Sequence, residues 1–335
     1  MPIPVQTFEP PFNIIRCSYV ILGVQDPAGS AIFYTDIIDL HKESQSTDEV
    51  FLRGMEELQH HSLILVRVPP PGCIAMGFKV GWEADLDKAA ALLARQGLDH
   101  KFVSRLHQGR TLHVTDRFGC SIDYYFNMER AERILQKYAL YKGVQPQRFE
   151  HFNVFVPELQ QTMEYYALLG FRLTEYSEEQ SADGGRIAAT WMQRKGNVHD
   201  LAFTNGRGPR LHHFAYFVPT PLNVIHLCDV MATSGYMKNI ERGPGRHGIS
   251  NAFFSMRAIP MVTASKSTAA ITRPWTLTIR PCAGRCVTQC VRPCGGHPRR
   301  ARGLTKAQVL SMGQSAGRCL LRMSSSHIEE STCTS

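Results

Sequence analysis

Two histidines stand at corresponding places in a chain that repeats itself. His151 lies in Phe149-Glu150-His151-Phe152-Asn153, and His213 lies in Arg210-Leu211-His212-His213-Phe214-Ala215-Tyr216. Both stretches read as β-strands. An imidazole fixed on a strand is a good metal ligand, although a single strand histidine is more often structural. Recurrence of the histidine in two copies of one repeat favours metal. Two such strands facing one another across a cup are predicted to bring the imidazoles together. Asn153 falls on the face of His151, two residues on. His199 and Asp200 follow the apolar run 188–192 and are predicted to project into the same space. His212 is predicted to point the other way. Downstream, residues 240–254 form a Gly/Pro-rich stretch with Arg242, Arg246 and His247, groups that can hold an anionic substrate. His60 and His61 read as structural. Cys282, Cys286, Cys290 and Cys294 recur every fourth residue, which is not a zinc-ligand spacing with a second pair at a distance.

These residues need elements to carry them, and the body of the chain supplies a unit used four times. Each copy is a strand, a helix ending near a glycine, then more strands. The copies begin near 16, 76, 149 and 211. The first helix follows Asp26-Pro27, with Ile32, Phe33 and Ile37 on one face. The second runs over 85–95, before Gly97. The third starts near Glu158 with Leu159, Met163 and Tyr166 on one face, before Gly170. The fourth spans 221–233, before Gly235. Copies one and two place Cys17 and Phe78 where copies three and four place His151 and His213, so the first half is predicted to hold no metal. The expected fold is α+β, with four βαβββ modules paired into two half-barrel domains and the last module incomplete. The predicted divisions are an N-terminal extension at 1–12, a metal-free domain at 13–128, a helical connector at 129–147, a metal-site domain at 148–257 and an aberrant, out-of-frame and disordered tail at 258–335.

Bulk properties narrow the function class. The chain has 335 residues, 43% hydrophobic and 20% charged, as expected of a globular protein. No uninterrupted apolar run is long enough to span a membrane. The first residues lack the pattern of a secretory signal, which leads to a cytoplasmic expectation. The net charge of +8 hints at nucleic acid, but its location removes the hint. Residues 258–335 hold 11 Lys/Arg against 2 Asp/Glu, whereas residues 1–257 hold 26 against 27. A basic nucleic-acid arm also needs interleaved aromatics, and Trp275 stands alone there. Six of the ten cysteines lie in that tail, and the other four are scattered in a charge-balanced body, which fits a reducing compartment.

The body resembles the type I extradiol ring-cleaving dioxygenases of the vicinal oxygen chelate (glyoxalase/bleomycin resistance) superfamily, in particular the homoprotocatechuate (3,4-dihydroxyphenylacetate) 2,3-dioxygenases. The resemblance runs from about 13 to 256 and rests on Phe149 to Asn153, Ala189 to Lys195, Val198-His199-Asp200, Gly208 to His213 and Ile240 to Phe254. It implies a mononuclear Fe(II), or Mn(II) in some members, held by two histidines and one carboxylate with open positions for a catechol and O2. By matching positions, His151 and His213 would be metal ligands and His199 the acid/base group. Asn153, Trp191, Arg242 and His247 would line the substrate pocket. The implied reaction is extradiol cleavage of a catechol acid in aromatic-compound catabolism, often in a homo-oligomer. A non-catalytic small-molecule-binding member of the same fold is the alternative.

The pattern breaks after Phe254. The family carries its third ligand, a glutamate, on a final strand of the form His-Pro-Asp-Gly-His-Arg-Ile-Glu-Ile-Tyr. The equivalent of copy two, Asp116 to Tyr124, has this form, but residues 258–266 contain no acid. Met256 stands where a pocket tyrosine is usual. If 259–266 is encoded ATC CCG ATG GTC ACC GCA TCG AAA, regrouping by one base reads His-Pro-Asp-Gly-His-Arg-Ile-Glu. Met261 and Trp275, with one codon each, limit the freedom of that exercise. The expectation is therefore a frameshift near 255–258, with the missing glutamate spanning Ser265 and Lys266, a lost last strand, weak metal binding and little activity.

Overall fold

The computed structural model describes residues 3–179 and 185–259 and the backbone of 276–281. Four βαβββ modules follow one another. The first comprises β1 (Ile14–Val24), α1 (Pro27–Ile32), β2 (His41–Gln45), β3 (Glu49–Arg53) and β4 (Leu63–Arg67). The second comprises β5 (Gly72–Val80), α2 (Ala84–Arg95), β6 (His100–Arg105), β7 (Gln108–Thr115) and β8 (Ser121–Tyr125). The third comprises β9 (Arg148–Val156), α3 (Leu159–Leu168), β10 (Arg172–Glu179), β11 (Arg186–Gln193) and β12 (Leu201–Asn205). The fourth comprises β13 (Arg210–Val218), α4 (Pro221–Thr233), β14 (Ile240–Arg246), β15 (Phe253–Ala258) and β16 (Thr276–Pro281). Modules one and two form an eight-stranded sheet of order β2-β3-β4-β1-β5-β8-β7-β6. Modules three and four repeat that order as β10-β11-β12-β9-β13-β16-β15-β14. The seam within each sheet is antiparallel, between β1 and β5 and between β9 and β13.

Alternation along the strands decides the two faces of each sheet. One face feeds a hydrophobic core shared by both halves, where Phe78 meets Phe152 at 5.6 Å and Phe171 at 5.7 Å between ring centroids. Such pairs contribute about 0.5–1.5 kcal/mol each beyond their burial. The opposite faces carry smaller clusters, Tyr19, Ile21, Phe51, Ile64, Ala75 and Tyr125 in the first half and Ala189, Trp191, Ala202 and Ile249 in the second. These are the two cups.

The helices end as their glycines predict. Gly97, Gly170 and Gly235 all have φ between +68° and +85°, where a side chain would be strained. Leu159, Met163 and Tyr166 are buried as expected. The first helix differs: α1 stops at Ile32, a π-helical turn follows over Phe33–Ile37, and Ile32 is 57% exposed while Phe33 and Ile37 are buried. The wider turn rotates Ile32 away from the stripe.

The expected helical connector is not helical. Between β8 and β9 the chain is irregular, with one 3-10 turn at Tyr138–Leu140. Tertiary backbone pairing takes the groups a helix would have used. Glu129 N–H donates to His107 O, Ala131 N–H to Leu58 O, and Arg130 bridges Gln59. The position expected to lose its last strand is crossed by the backbone of β16, parallel to β13 and antiparallel to β15. Residues 260–275, where the family's closing motif was expected, lie outside the described residues, as do 282–335. Among the described residues, no helix is long and apolar enough to cross a membrane.

Candidate active site

His151 and His213 do meet, but as neighbours within one sheet and not across a cup. In the β9–β13 ladder His151 lies opposite Ala215, and His213 lies opposite Asn153. The rings are therefore diagonal neighbours on one face, the closest approach the pleat allows without direct opposition. Their Nε2 atoms are 3.2 Å apart, and both residues are buried. Two nitrogens each about 2.1 Å from one ion, at near-right angles, stand about 3 Å apart. The pair thus fits two adjacent ligand positions on one metal.

The second nitrogen of His213 is also committed. Its Nδ1 stands 2.8 Å from Nδ1 of His212. One of the two must donate. A neutral His213 with its proton on Nδ1 donates to His212 and leaves Nε2 bare for a metal. This is the usual way an outer partner orients a ligating imidazole. Burial pulls the pKa of His212 down, which keeps it a neutral partner. His212 also packs on Phe155 at 4.6 Å. Sequence alternation alone points it the other way, but the irregular register between Leu211 and His213 sets it beside His213 and Phe155, and it has a positioning role that its sequence did not reveal.

His199 is buried over this pair, with its ring 4.1 Å from that of His151. Its neighbour Asp200 does not join it, contrary to the sequence expectation. Asp200 turns into the interface with the first half and is wholly buried. Its carboxylate accepts from Cys17 N–H at 3.0 Å, Arg194 N–H at 2.7 Å and Lys195 N–H at 3.0 Å, and pairs with Lys195 Nζ at 3.2 Å. Lys195 Nζ also donates to Glu150 O. The turn leading into His199 is thereby clamped to β1. The clamp gives adjacent residues opposite directions: His199 goes to the cup and Asp200 to the clamp.

Asn153 is buried on the cup face, and its Oδ1 accepts from the hydroxyl of Thr204 at 3.1 Å. That bond fixes the amide and keeps its NH2 group as the donor for a ligand. Trp191, opposite Ala202 on β12, forms a wall with Ile249. Arg242 and His247 stand at the rim. Both pack on Phe254, with the Arg242 guanidinium 5.9 Å and the His247 ring 5.0 Å from its centroid. Arg242 is exposed. His247 Nδ1 accepts from Ile249 N–H at 3.0 Å, so a neutral His247 presents Nε2–H as a donor. The loop that carries it is tied to β10 by Ser250 N–H donating to buried Glu175 at 3.3 Å. The structure thus gathers His151, His213 and His199 at the floor, Asn153 and Trp191 beside them, and Arg242 and His247 on the rim. Thr204, Glu175 and the Asp200 clamp escaped sequence reasoning. Each acts through a contact between segments far apart in the chain.

The ladders also correct the equivalences between copies. Tyr19 lies opposite Gly77 as His151 lies opposite Ala215, and Ile21 lies opposite Ala75 as Asn153 lies opposite His213. Tyr19 and Ala75 hold the histidine places in the first half, not Cys17 and Phe78. Cys17 and Phe78 face the shared core, and the irregular register between Cys17 and Tyr19 in β1 hides the shift. Gly77 in turn pairs with Asp123 on β8, as Ala215 pairs with Thr278 on β16. Asp123 is thus the counterpart of the third ligand position, and in the second half that position falls to threonine. The described residues fit two imidazole ligands, and the register position of the carboxylate is held by threonine.

Among the described residues a different trio, His60, His107 and Glu129, brings three ligating groups close together. His60 and His107 are stacked at 3.7 Å with planes 10° apart. One ion cannot lie in both of two parallel ring planes, so this trio reads as a stacked, hydrogen-bonded pair whose His107 Nδ1 meets Glu129 at 2.6 Å.

Residues 148–258 match the Glyoxalase/Bleomycin resistance protein/Dioxygenase superfamily. A homoprotocatechuate 2,3-dioxygenase from Brevibacterium fuscum, solved with 3,4-dihydroxyphenylacetate, is 35% identical, with a TM-score of 0.74 and coverage of 83% of both chains. The homoprotocatechuate 2,3-dioxygenase of Arthrobacter globiformis is 32% identical, with a TM-score of 0.74 and coverage of 84% of both chains. A manganese-dependent 2,3-dihydroxybiphenyl 1,2-dioxygenase from Geobacillus genomosp. 3 is 26% identical over 262 residues, 72% of this chain and 80% of the relative. With the fold, the paired histidines and these likenesses in agreement, the chain belongs to the extradiol dioxygenases of the glyoxalase/bleomycin resistance protein/dioxygenase superfamily.

Proposed function

We propose that this chain derives from an enzyme that opens a catechol acid of the 3,4-dihydroxyphenylacetate type beside its two hydroxyls, consuming O2 in a reducing, cytoplasmic setting. The observation that carries the reading is the His151–His213 contact of 3.2 Å with the tilted ring of His199 packed 4.1 Å from that of His151. His151 and His213 would hold Fe(II) or Mn(II), which supplies a site where catechol and O2 meet. The chain's own residues supply the rest. His199 is placed to take a proton from a catechol hydroxyl. Asn153, with its oxygen held by Thr204, offers a donor to the bound ring's oxygens. Trp191 walls off water, and Arg242 and His247 receive the substrate carboxylate at the rim. The division into a metal-free domain at 13–128 and a metal domain at 148–257 belongs to this reading, supported by the repeated strand order.

The reading includes the missing ligand. Register assigns its place to Thr278. One strand earlier, Arg257 is fully buried, with a serine hydroxyl, a cysteine sulfur and a backbone carbonyl as its described side-chain partners. A buried guanidinium whose described partners include no carboxylate is costly, and this supports a reading frame lost nearby. The nucleotide sequence around codons 250–270 tests the frame directly. The protein-level test measures bound metal and oxygen uptake with 3,4-dihydroxyphenylacetate, for the chain as written and for a chain restored to His-Pro-Asp-Gly-His-Arg-Ile-Glu after residue 258. The first should hold little metal and consume little oxygen, and the second should do both. Turnover by the unrestored chain would overturn the missing-ligand reading. A restored chain that binds catechol and metal without oxygen uptake would leave the non-catalytic binder as the answer.

A further inference from the structure

The first half carries the same set of positions as the metal cup, filled differently. Tyr19, Gly77 and Asp123 correspond in register to His151, Ala215 and Thr278, and Ile21 and Ala75 to Asn153 and His213. His61 stands where His199 stands, three residues before the partner of Ile21 in one sheet and of Asn153 in the other. The deep part of this cup is closed by protein. The Tyr19 ring crosses Gly77 so closely that a Cβ there would come within 2.4 Å of it. Its hydroxyl donates to Asp123 at 2.8 Å. Arg105 adds bonds of 3.0 and 3.2 Å and His113 one of 2.7 Å to the same carboxylate. Asp123 is saturated, and its charge is matched by Arg105.

The mouth of the cup stays open. A cavity of about 210 Å³ is lined by Ile21, Phe51, Ile64 and Ile74, with Glu49 and Arg105 at its polar side. An engineered cavity of about 150 Å³ lined by similar side chains holds benzene in another protein, so this one has room for a ring with a substituent. With Arg105 matched by Asp123, the remaining formal charge of the lining is that of Glu49. It accepts a hydrogen bond and repels an anion.

We propose that the first cup is a second binding site, for a neutral single-ring phenol, with the ring against Ile21, Phe51 and Ile64 and its hydroxyl donated to Glu49. The site is independent of the metal and of the proposed ring cleavage. Its preference is opposite to that of the rim of Arg242 and His247, which suits a carboxylate.

The test uses the full chain with 4-methylphenol, which lacks the paired hydroxyls needed to chelate a metal, and 4-methylbenzoate as the anionic comparison. Binding is followed by calorimetry and by saturation-transfer NMR. At the first cup, read as the binding lost in Ile64→Trp, the parent should prefer 4-methylphenol to 4-methylbenzoate. Ile64→Trp, which fills the mouth, should weaken 4-methylphenol binding by about tenfold or more, equivalent to about 1.4 kcal/mol. Glu49→Gln, a half-exposed isosteric change that leaves the fold intact, should weaken 4-methylphenol binding severalfold and reduce the discrimination against 4-methylbenzoate. His213→Ala should leave 4-methylphenol binding unchanged. No binding by the parent overturns the proposal. So does equal binding by parent, Ile64→Trp and Glu49→Gln, or a loss confined to Trp191→Ala, which would put the phenol in the second cup.

Discussion

Replacing Asp200 by asparagine should destabilise the whole chain out of proportion to its size. The aspartate is fully buried, and its two oxygens divide four polar contacts between them. Oδ1 faces Cys17 N–H and Lys195 Nζ, and Oδ2 faces the backbone N–H groups of Arg194 and Lys195. An asparagine must put its NH2 at one of these places. Whichever it chooses, two donors lose their acceptor and meet a third donor. Leaving a buried donor unsatisfied costs about 1–3 kcal/mol, and breaking a buried ion pair by removing one partner costs about 3–5 kcal/mol. The two estimates describe the same loss, so about 3–5 kcal/mol is the expectation. For a chain of this size that corresponds to a fall in Tm of roughly 6–10 °C. The assay is thermal unfolding followed by circular dichroism, repeated with Lys195→Met and with the double variant. Coupling between Asp200 and Lys195 should exceed about 1 kcal/mol. A Tm within about 2 °C of the parent, or additive single changes, would show that the clamp on the His199 turn does not exist as described.

Other outcomes follow from the same structure. His61 is buried, and burial together with His60 and His107 pulls its pKa from 6.5 down to about 3. The unfolded chain then binds the proton that the folded chain refuses, so stability is lost as pH falls below about 6.5. Between pH 7 and 5 the loss from this residue is about 2 kcal/mol, and urea titrations of His61→Asn should show a shallower pH slope than the parent. An unchanged slope would contradict this. Arg257→Met should raise Tm, by about 2–6 °C, because a well-packed apolar side chain replaces a buried guanidinium that has no carboxylate among its described partners; a lower Tm would mean that Arg257 is better satisfied than those partners indicate. Thr278→Glu places a carboxylate at the register position of the third ligand and should raise Fe(II) or Mn(II) affinity at least about tenfold, measured by metal competition. Equal affinity would refute the register that equates Thr278 with Asp123.

Much of the architecture was legible because it is local and repeated. Alternation marked the four leading strands. The i, i+4, i+7 stripe of Leu159, Met163 and Tyr166 marked α3, and the glycines after the second, third and fourth helices marked where they end, since each of those positions takes a positive φ. The histidine pair was legible for the same reason: two copies of one module put like residues at like places. The connector after residue 128 was not legible. Its polar, helix-forming composition says nothing about backbone partners such as His107 O and Leu58 O, which are distant in sequence.

By itself, then, the sequence determined the module, its fourfold repetition, the residue types of the site and the absence of an acid where the last ligand belongs. Those properties reside in periodicity and in residue identity. Only the tertiary structure decided which residues correspond across the repeat. A one-residue irregularity in β1 is invisible in a string of letters, yet it exchanges the two faces of a strand and moves the histidine-equivalent place from Cys17 to Tyr19. Only the structure, too, sent His199 and Asp200 in opposite directions, because the clamp that separates them is built from β1, on the far side of the chain.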